Sequence, residues 1–494
     1  MDKNTVNAAL MSGFNTYNNY SVFSHVLMPE GFAVNLGFKF YNTGRVLNDA
    51  LIGRYGDHEE KIHPCGRTWD GGYTELFMKF SDCAVRVQSS ADASGLVLLV
   101  TPLHEGAAPQ VMPPVALVSA AVLWGRPGCV FKDGDKLVGS IDGKTVEVYS
   151  DGEITGERNV NINSPFFAVK LDRPVTVSTG RRISCKEAEA VMLKAKAASE
   201  KQLEKYGDQA EAAAAMRACM AWDTIYEPEQ MQVCTPVSRL WNIGWGGYVL
   251  FCWDTYFAAM LAATENKELA YSNLIAITGE KTESGFVPNF GSSNDGKSRD
   301  RSQPPVGAKA LKEVYRRYRE KWIVEYLFDD LLVWNRWWAA NRQIKNGTLC
   351  WGSNPYEIRR GMHWETTGVD ELLGAALESG LDNSPMYDGM EFDKETHLMR
   401  LSDVGLTGLY IMDCEALADL AEEIGRSEAA ELRKRAEHTK DGLDTLWCED
   451  SGMFLNRRTD TGELSPRTSP ANFYALYSNR VTEAQAKKMM KNYF

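Results

Sequence analysis

Near Ser184 the hydrophobic pattern of this 494-residue chain changes period, and that change limits the folds open to it. From about residue 20 to 185, segments such as GFAVNLGFKFY, AVRVQSS, GLVLLVTP, TVEVYS and FFAVKL alternate or run β-branched and aromatic, as strands do. Gly, Asp and Pro interrupt them at short intervals, in KDGDK, SDGEITGE and LDRP. This spacing predicts an antiparallel β-sandwich over residues 1–185 rather than βαβ units. CKEAEAVMLKAKAASEKQLEKYG then reads as a long, charged, Ala-rich helix, so residues 186–207 are expected to form a helical linker. From Asp208 to residue 494 the pattern is helical, with candidates at 208–225, 252–265, 267–279, 306–320, 322–345, 366–379, 410–424, 427–447, 469–478 and 482–492. The gaps between them are long and rich in Gly, Pro, Asn and aromatics, and eleven of the thirteen Trp fall at or after Trp222. Helices joined by elaborate loops are the pattern of an α/α toroid, whose loops at one end build the site.

The formal net charge of -12 sets up a field that repels polyanions, so the expected partner is a small neutral molecule and not nucleic acid. No stretch reaches the ~18 consecutive apolar residues of a membrane span. The start, MDKNTVNAALMSGFNTYNN, lacks a basic segment followed by an apolar one, so no secretory signal is expected. Ten cysteines are scattered without a C-x-x-C, which disfavours a disulfide framework or a zinc site and fits a reducing cytoplasm. Nothing in the sequence calls for a cofactor, and the oligomeric state is left open.

Four loops carry the chemistry-bearing residues. In WNIGWGGYVLFCWDTYF (241–257) aromatics crowd around Asp254 as a helix begins. Sugars bind to such sets by stacking ring faces on aromatics and bonding hydroxyls to a carboxylate, although an Asp at a helix start also serves as an N-cap. GFVPNFGSSNDGKSRDRSQPPVGA (285–308) is a long polar loop whose Asp295 and Asp300 match no calcium loop of defined spacing, so no metal is expected. LCWGSNPYE (349–357) presents Trp351, either as a stacking platform or as part of a packed turn. In WETTGVDELLGAALESGLDNSPMYD (364–388) a helix ends at Gly380 and Asp382 follows on the turn. An acid there, near Trp364 and Tyr387, can lose solvent on one side and gain the raised pKa of a general acid. Asp-Asn-Ser-Pro is equally ordinary turn chemistry, so composition alone leaves both readings open.

Taken in order, WDTYF (253–257), GFVPNF (285–290), SQPPVGA (302–308), WGS (351–353) and ESGLDNSP (378–385) resemble glycoside hydrolase family 63, in its bacterial mannosylglycerate and glucosylglycerate hydrolase branch. Family 37 trehalases carry a related ESGWD-type acid motif. The resemblance implies an (α/α)6 toroid and an inverting glycosidase acting on a small α-glucoside or α-mannoside. Asp382 would be the general acid, while Trp253, Asp254, Gln303, Trp351 and Trp364 would bind the sugar. The family's general base is a Glu on a late loop, and no aromatic-rich segment of that kind follows Asn472. About ten or eleven helices are counted from Asp208 where twelve are needed, so the expectation is a C-terminally incomplete toroid. The alternatives are a sugar-binding remnant without the base and a sugar epimerase or isomerase using a histidine, for which His363, His397 and His438 are available. An anionic aglycone such as glycerate would need a basic partner, and Arg299, Arg301, Arg359 and Arg360 lie in suitable loops.

Overall fold

A computed structural model describes residues 2–41, 43–56, 59–81, 83–103, 112–245 and 247–493. The chain forms two compact units, residues 4–248 and residues 249–494 with 1–3.

In the first unit the described residues build a seven-stranded and an eight-stranded sheet, every pairing antiparallel. The strands read from sequence are there: Phe32–Phe40, Cys83–Asp92, Gly95–Pro102, Lys144–Ser150 and Phe166–Lys170. Alternation decides what lies between the sheets, since successive side chains point to opposite faces. Phe32, Val34, Leu36 and Phe38 from one sheet share a core with Val85, Val87, Leu98 and Val100 from the other. The sheets approach so closely at Gly139, on Lys136–Ile141, that a Cβ there would lie 2.3 Å from the Phe32 ring. Cys185–Leu203 is the helix expected after the strands, and Ser184 opens it with a capping box closed by Glu187. That helix and Ala210–Asp223 are part of this unit with the sheets.

The second unit is built from helical hairpins. Cys252–Ala262 packs on Lys267–Gly279, Gly307–Tyr318 on Lys321–Asn341, and Val404–Ile424 on Ala429–Asp444. The leading helices of successive hairpins also touch each other. Val404–Ile424 is buried nearly all round because neighbours cover every side of it. It starts six residues before the expected 410, where the Asp403 side chain accepts from the Leu406 N–H. The single helix expected at 366–379 is two short ones, His363–Thr366 and Leu372–Glu378. Gly368 and Asp370 between them take left-handed φ values of 75° and 55°, which no helix can contain. Residues 470–478 form 3-10 turns instead of an α-helix. Among the described residues no helix is long and apolar enough to cross a membrane.

Asp413 is an ionisable group held inside the helical packing. Asp413 accepts from the Asn335 Nδ2 at 2.7 Å and from the Ala308 N–H at 3.2 Å, and burial pushes its pKa up to about 7. A native pKa above the unfolded value of about 3.9 means the native state binds the extra proton. Stability contributed by this group should therefore be full near pH 4 and be lost as pH rises to about 7. Thermal unfolding between pH 4 and 8 should show that slope in the unmodified protein and a flatter one in Asp413→Asn. In the sandwich, Gly139→Ala should cost about 1–3 kcal/mol through overpacking, read as a fall in melting temperature.

Candidate active site

The helix Cys252–Ala262 follows Val249–Phe251, a strand paired with Phe290–Ser292. A helix start leaves its first N–H groups without intrahelical acceptors. Here they are filled from other segments: the Cys252 N–H donates to the Asn289 carbonyl at 3.1 Å and the Trp253 N–H to Gln303 Oε1 at 3.2 Å. Gln303 thus acts as a cap from fifty residues away. Asp254 is not the N-cap, a position that Phe251 takes; it sits inside the first turn. Burial is the main cause that raises the Asp254 pKa, and the charge of Asp382 raises it further against a backbone hydrogen bond. The two carboxylates therefore lie within electrostatic reach of one another.

Asp382 lies where the sequence puts it. Leu372–Glu378 ends, Gly380 turns the chain with φ 67°, and the acid follows. A Cβ on Gly380 would stand 2.6 Å from the Trp253 indole, so this glycine is required by the close approach as well as by its φ. Asp382 stays open to solvent on one side, yet the protein crowding its other side raises its pKa. A backbone hydrogen bond and the Arg301 guanidinium act in the opposite direction.

Four residues before the acid, Glu378 is fully buried. Its Oε1 accepts from the Ser302 N–H at 3.0 Å and from Arg342 Nη2 at 3.0 Å. Its Oε2 accepts from the Gly352 N–H at 2.7 Å and from Arg342 Nε at 2.7 Å. Burial raises the Glu378 pKa, and Arg342 is the largest opposing influence. Asn289 adds a second fastening by donating from Nδ2 to the Leu377 carbonyl at 2.8 Å. Glu378 and Arg342 were not singled out from the sequence. Glu378 stands inside ESGLDNSP, where a carboxylate four residues before an acid was a usable signal; Arg342 reads only as a basic residue at a helix end.

Trp253, Asp254, Gln303 and Asp382 thus converge. Trp351 is 2% exposed, with its ring edge-on to Trp338 at 6.2 Å. It is a packed wall and not an open stacking platform, because the strand Cys350–Gly352 that carries it is buried throughout. Trp364 is 43% exposed and packs edge-on against His363, and its short helix joins the site through the Thr367 carbonyl, which accepts from Arg301. Among the arginines, Arg301 pairs with Asp300 at 2.7 Å, Arg299 with Asp295 at 2.9 Å and Arg359 with Glu283 at 2.7 Å. Asp295 and Asp300 therefore have arginine partners, and no metal-binding group of His, Cys, Asp and Glu occurs among the described residues. His397 bonds Asp370 at 2.7 Å.

A family model described as the mannosylglycerate hydrolase MGH1-like glycoside hydrolase domain matches residues 247–494, half of the chain. The chain belongs to this family. The matched residues take in all six site residues named from the sequence. No curated protein matches the chain in sequence. Among solved structures it is similar to the family 63 mannosylglycerate hydrolase of Thermus thermophilus in complex with glucose, at 18% identity and TM-score 0.41, covering 49% of this chain and 68% of that one. It is also similar to the neutral trehalase of Saccharomyces cerevisiae, at 17% identity and TM-score 0.40, covering 55% and 57%. A bacterial glucoamylase complexed with acarbose gives 11% identity and TM-score 0.41, covering 90% and 67%.

Gly380→Ala should add about 1–2 kcal/mol of backbone strain and push the Trp253 ring aside. Thermal unfolding should register that strain as a lower melting temperature than the unmodified protein, with the overall circular dichroism unchanged.

Proposed function

We propose that the chain is an inverting glycosidase for a small α-glucoside or α-mannoside, with Asp382 as the general acid. The observation that carries this reading is the setting of Asp382, on a turn held against Trp253 and within electrostatic reach of Asp254. A carboxyl that is partly desolvated keeps its proton to higher pH, as an acid delivering it to a leaving glycosidic oxygen must. Arg301 limits the rise, so the same group can ionise once the proton is given up. Asp254 would accept hydrogen bonds from sugar hydroxyls and Trp253 would offer its ring face, while Gln303 holds the start of their helix. Trp351 would wall the pocket from behind and Trp364 from the solvent side. The family's own description favours mannosylglycerate-type substrates, and the hairpins would be part of an (α/α)6 toroid.

Inversion needs a second carboxylate about 6.5–9.5 Å from the acid to activate water. A sugar-binding protein without turnover is the second reading, because no base is assigned: Asp254, a carboxylate that feels the charge of Asp382, is placed on the sugar. Sugar release from α-glucosides and α-mannosides separates the two. Asp382→Asn should lower turnover roughly 10²–10⁴-fold while the melting temperature and sugar binding persist. Full activity in that variant would remove Asp382 from the chemistry. Binding of glucose or mannose by the unmodified protein with no hydrolysis would favour the second reading.

A further inference from the structure

Three stretches that are distant in sequence meet on one carboxylate, around Ser302, from Arg342 to Gly352 and at Glu378. Ser302, next to the helix-capping Gln303, donates its N–H to Glu378 Oε1, and Gly352, next to Trp351, donates its N–H to Oε2. Arg342, after the helix Lys321–Asn341, spans both oxygens. Glu378 itself closes the helix whose next turn presents Asp382. The arrangement is tight: a Cβ on Gly352 would lie 2.8 Å from the Arg342 guanidinium carbon. Arg342 is further held over the Trp337 ring at 4.7 Å and donates to Asn354 Oδ1 at 2.6 Å. Ser302 is fixed independently, through Trp334 Nε1 donating to its hydroxyl at 3.0 Å and the hydroxyl donating to the Val287 carbonyl at 2.6 Å.

We propose that Glu378 is the positioning residue of this site, its buried carboxylate setting the spacing between the acid turn, the Gln303 loop and the Trp351 strand. The inference rests on the reading of Asp382 as the acid. A carboxylate can serve the two backbone donors at once because it accepts through both oxygens. An amide in its place has a single acceptor oxygen, so Glu378→Gln must release either the Ser302 or the Gly352 fastening. Misplacement of about 1 Å at a reacting centre costs on the order of 10²-fold in rate, which is the scale expected here.

Stability and positioning are separable. Glu378→Gln alone leaves Arg342 buried without its counter-charge, which is strongly destabilising, whereas removing both charges together is often neutral. The test uses the full chain with Glu378→Gln, Arg342→Met and the double variant, and it reads melting temperature, glucose and mannose affinity by calorimetry, and kcat and KM on nitrophenyl α-glycosides. The double variant should recover most of the melting temperature lost by Glu378→Gln, yet keep kcat down about 10²-fold with KM changed far less. Arg342→Met strands the Glu378 charge and should lower the melting temperature as Glu378→Gln does, yet it keeps both backbone acceptors, so its kcat should fall less than that of the double variant. Recovery of kcat together with melting temperature in the double variant overturns the proposal. If the unmodified protein binds sugar without turnover, a roughly tenfold weaker affinity in the double variant supports it and an unchanged affinity overturns it. Full turnover by Asp382→Asn sinks the acid reading separately, and a protein that neither cleaves nor binds these sugars removes both.

Discussion

The buried carboxylate of Glu378, paired with Arg342 at 2.7 Å and with both side chains wholly inside the protein, is the constraint on which the arrangement of the site depends. Removing two charges from water is costly, and geometry that satisfies every lone pair and proton is needed to offset it. Each Glu378 oxygen does take one guanidinium and one backbone donor. Such a pair contributes little to net stability compared with a well-packed apolar one. Its consequence is geometric, since the loops that would touch a sugar cannot shift without exposing or stranding a charge. The acid turn, the Gln303 loop and the Trp351 strand are thereby a single body.

Around that body two side chains serve the backbone at helix starts. Asp413 reaches across from Val404–Ile424 to the Ala308 N–H in the first turn of Gly307–Tyr318, while Gln303 does the same for Cys252–Ala262. Both are tertiary caps supplied by other segments, where a Ser, Thr or Asp before the helix would ordinarily serve. The first unit works by different means. Its two sheets hold together through interleaved apolar side chains, with Gly139 giving way to Phe32 at the closest approach.

Asp382 and Asp254 both have raised pKa values, each for its own reasons. Asp382 is raised by crowding on its protein side and checked by Arg301, whose own charge is spent on Asp300 and the Thr367 carbonyl. Asp254 is raised by burial and by Asp382. A carboxylate that feels a neighbouring negative charge keeps its proton to higher pH, and here Asp254 is the one that feels Asp382.

What the sequence determined by itself is whatever depends on neighbours a few residues apart. The two-residue period placed the strands, the helical period placed most helices, and Gly380 with Asp-Asn-Ser-Pro placed the acid on a turn. The split of the 366–379 helix escaped it, because apolar spacing continues through the left-handed Gly368 and Asp370. Only the tertiary structure decided that Gln303 caps the Trp253 helix, that Trp351 is packed away from solvent, and that Glu378 fastens the site. The partners of Glu378 lie 26 to 76 residues away along the chain. Periodicity is a local property of the backbone, whereas the partner of a buried charge is chosen by which segments meet in space, and no local pattern encodes that meeting.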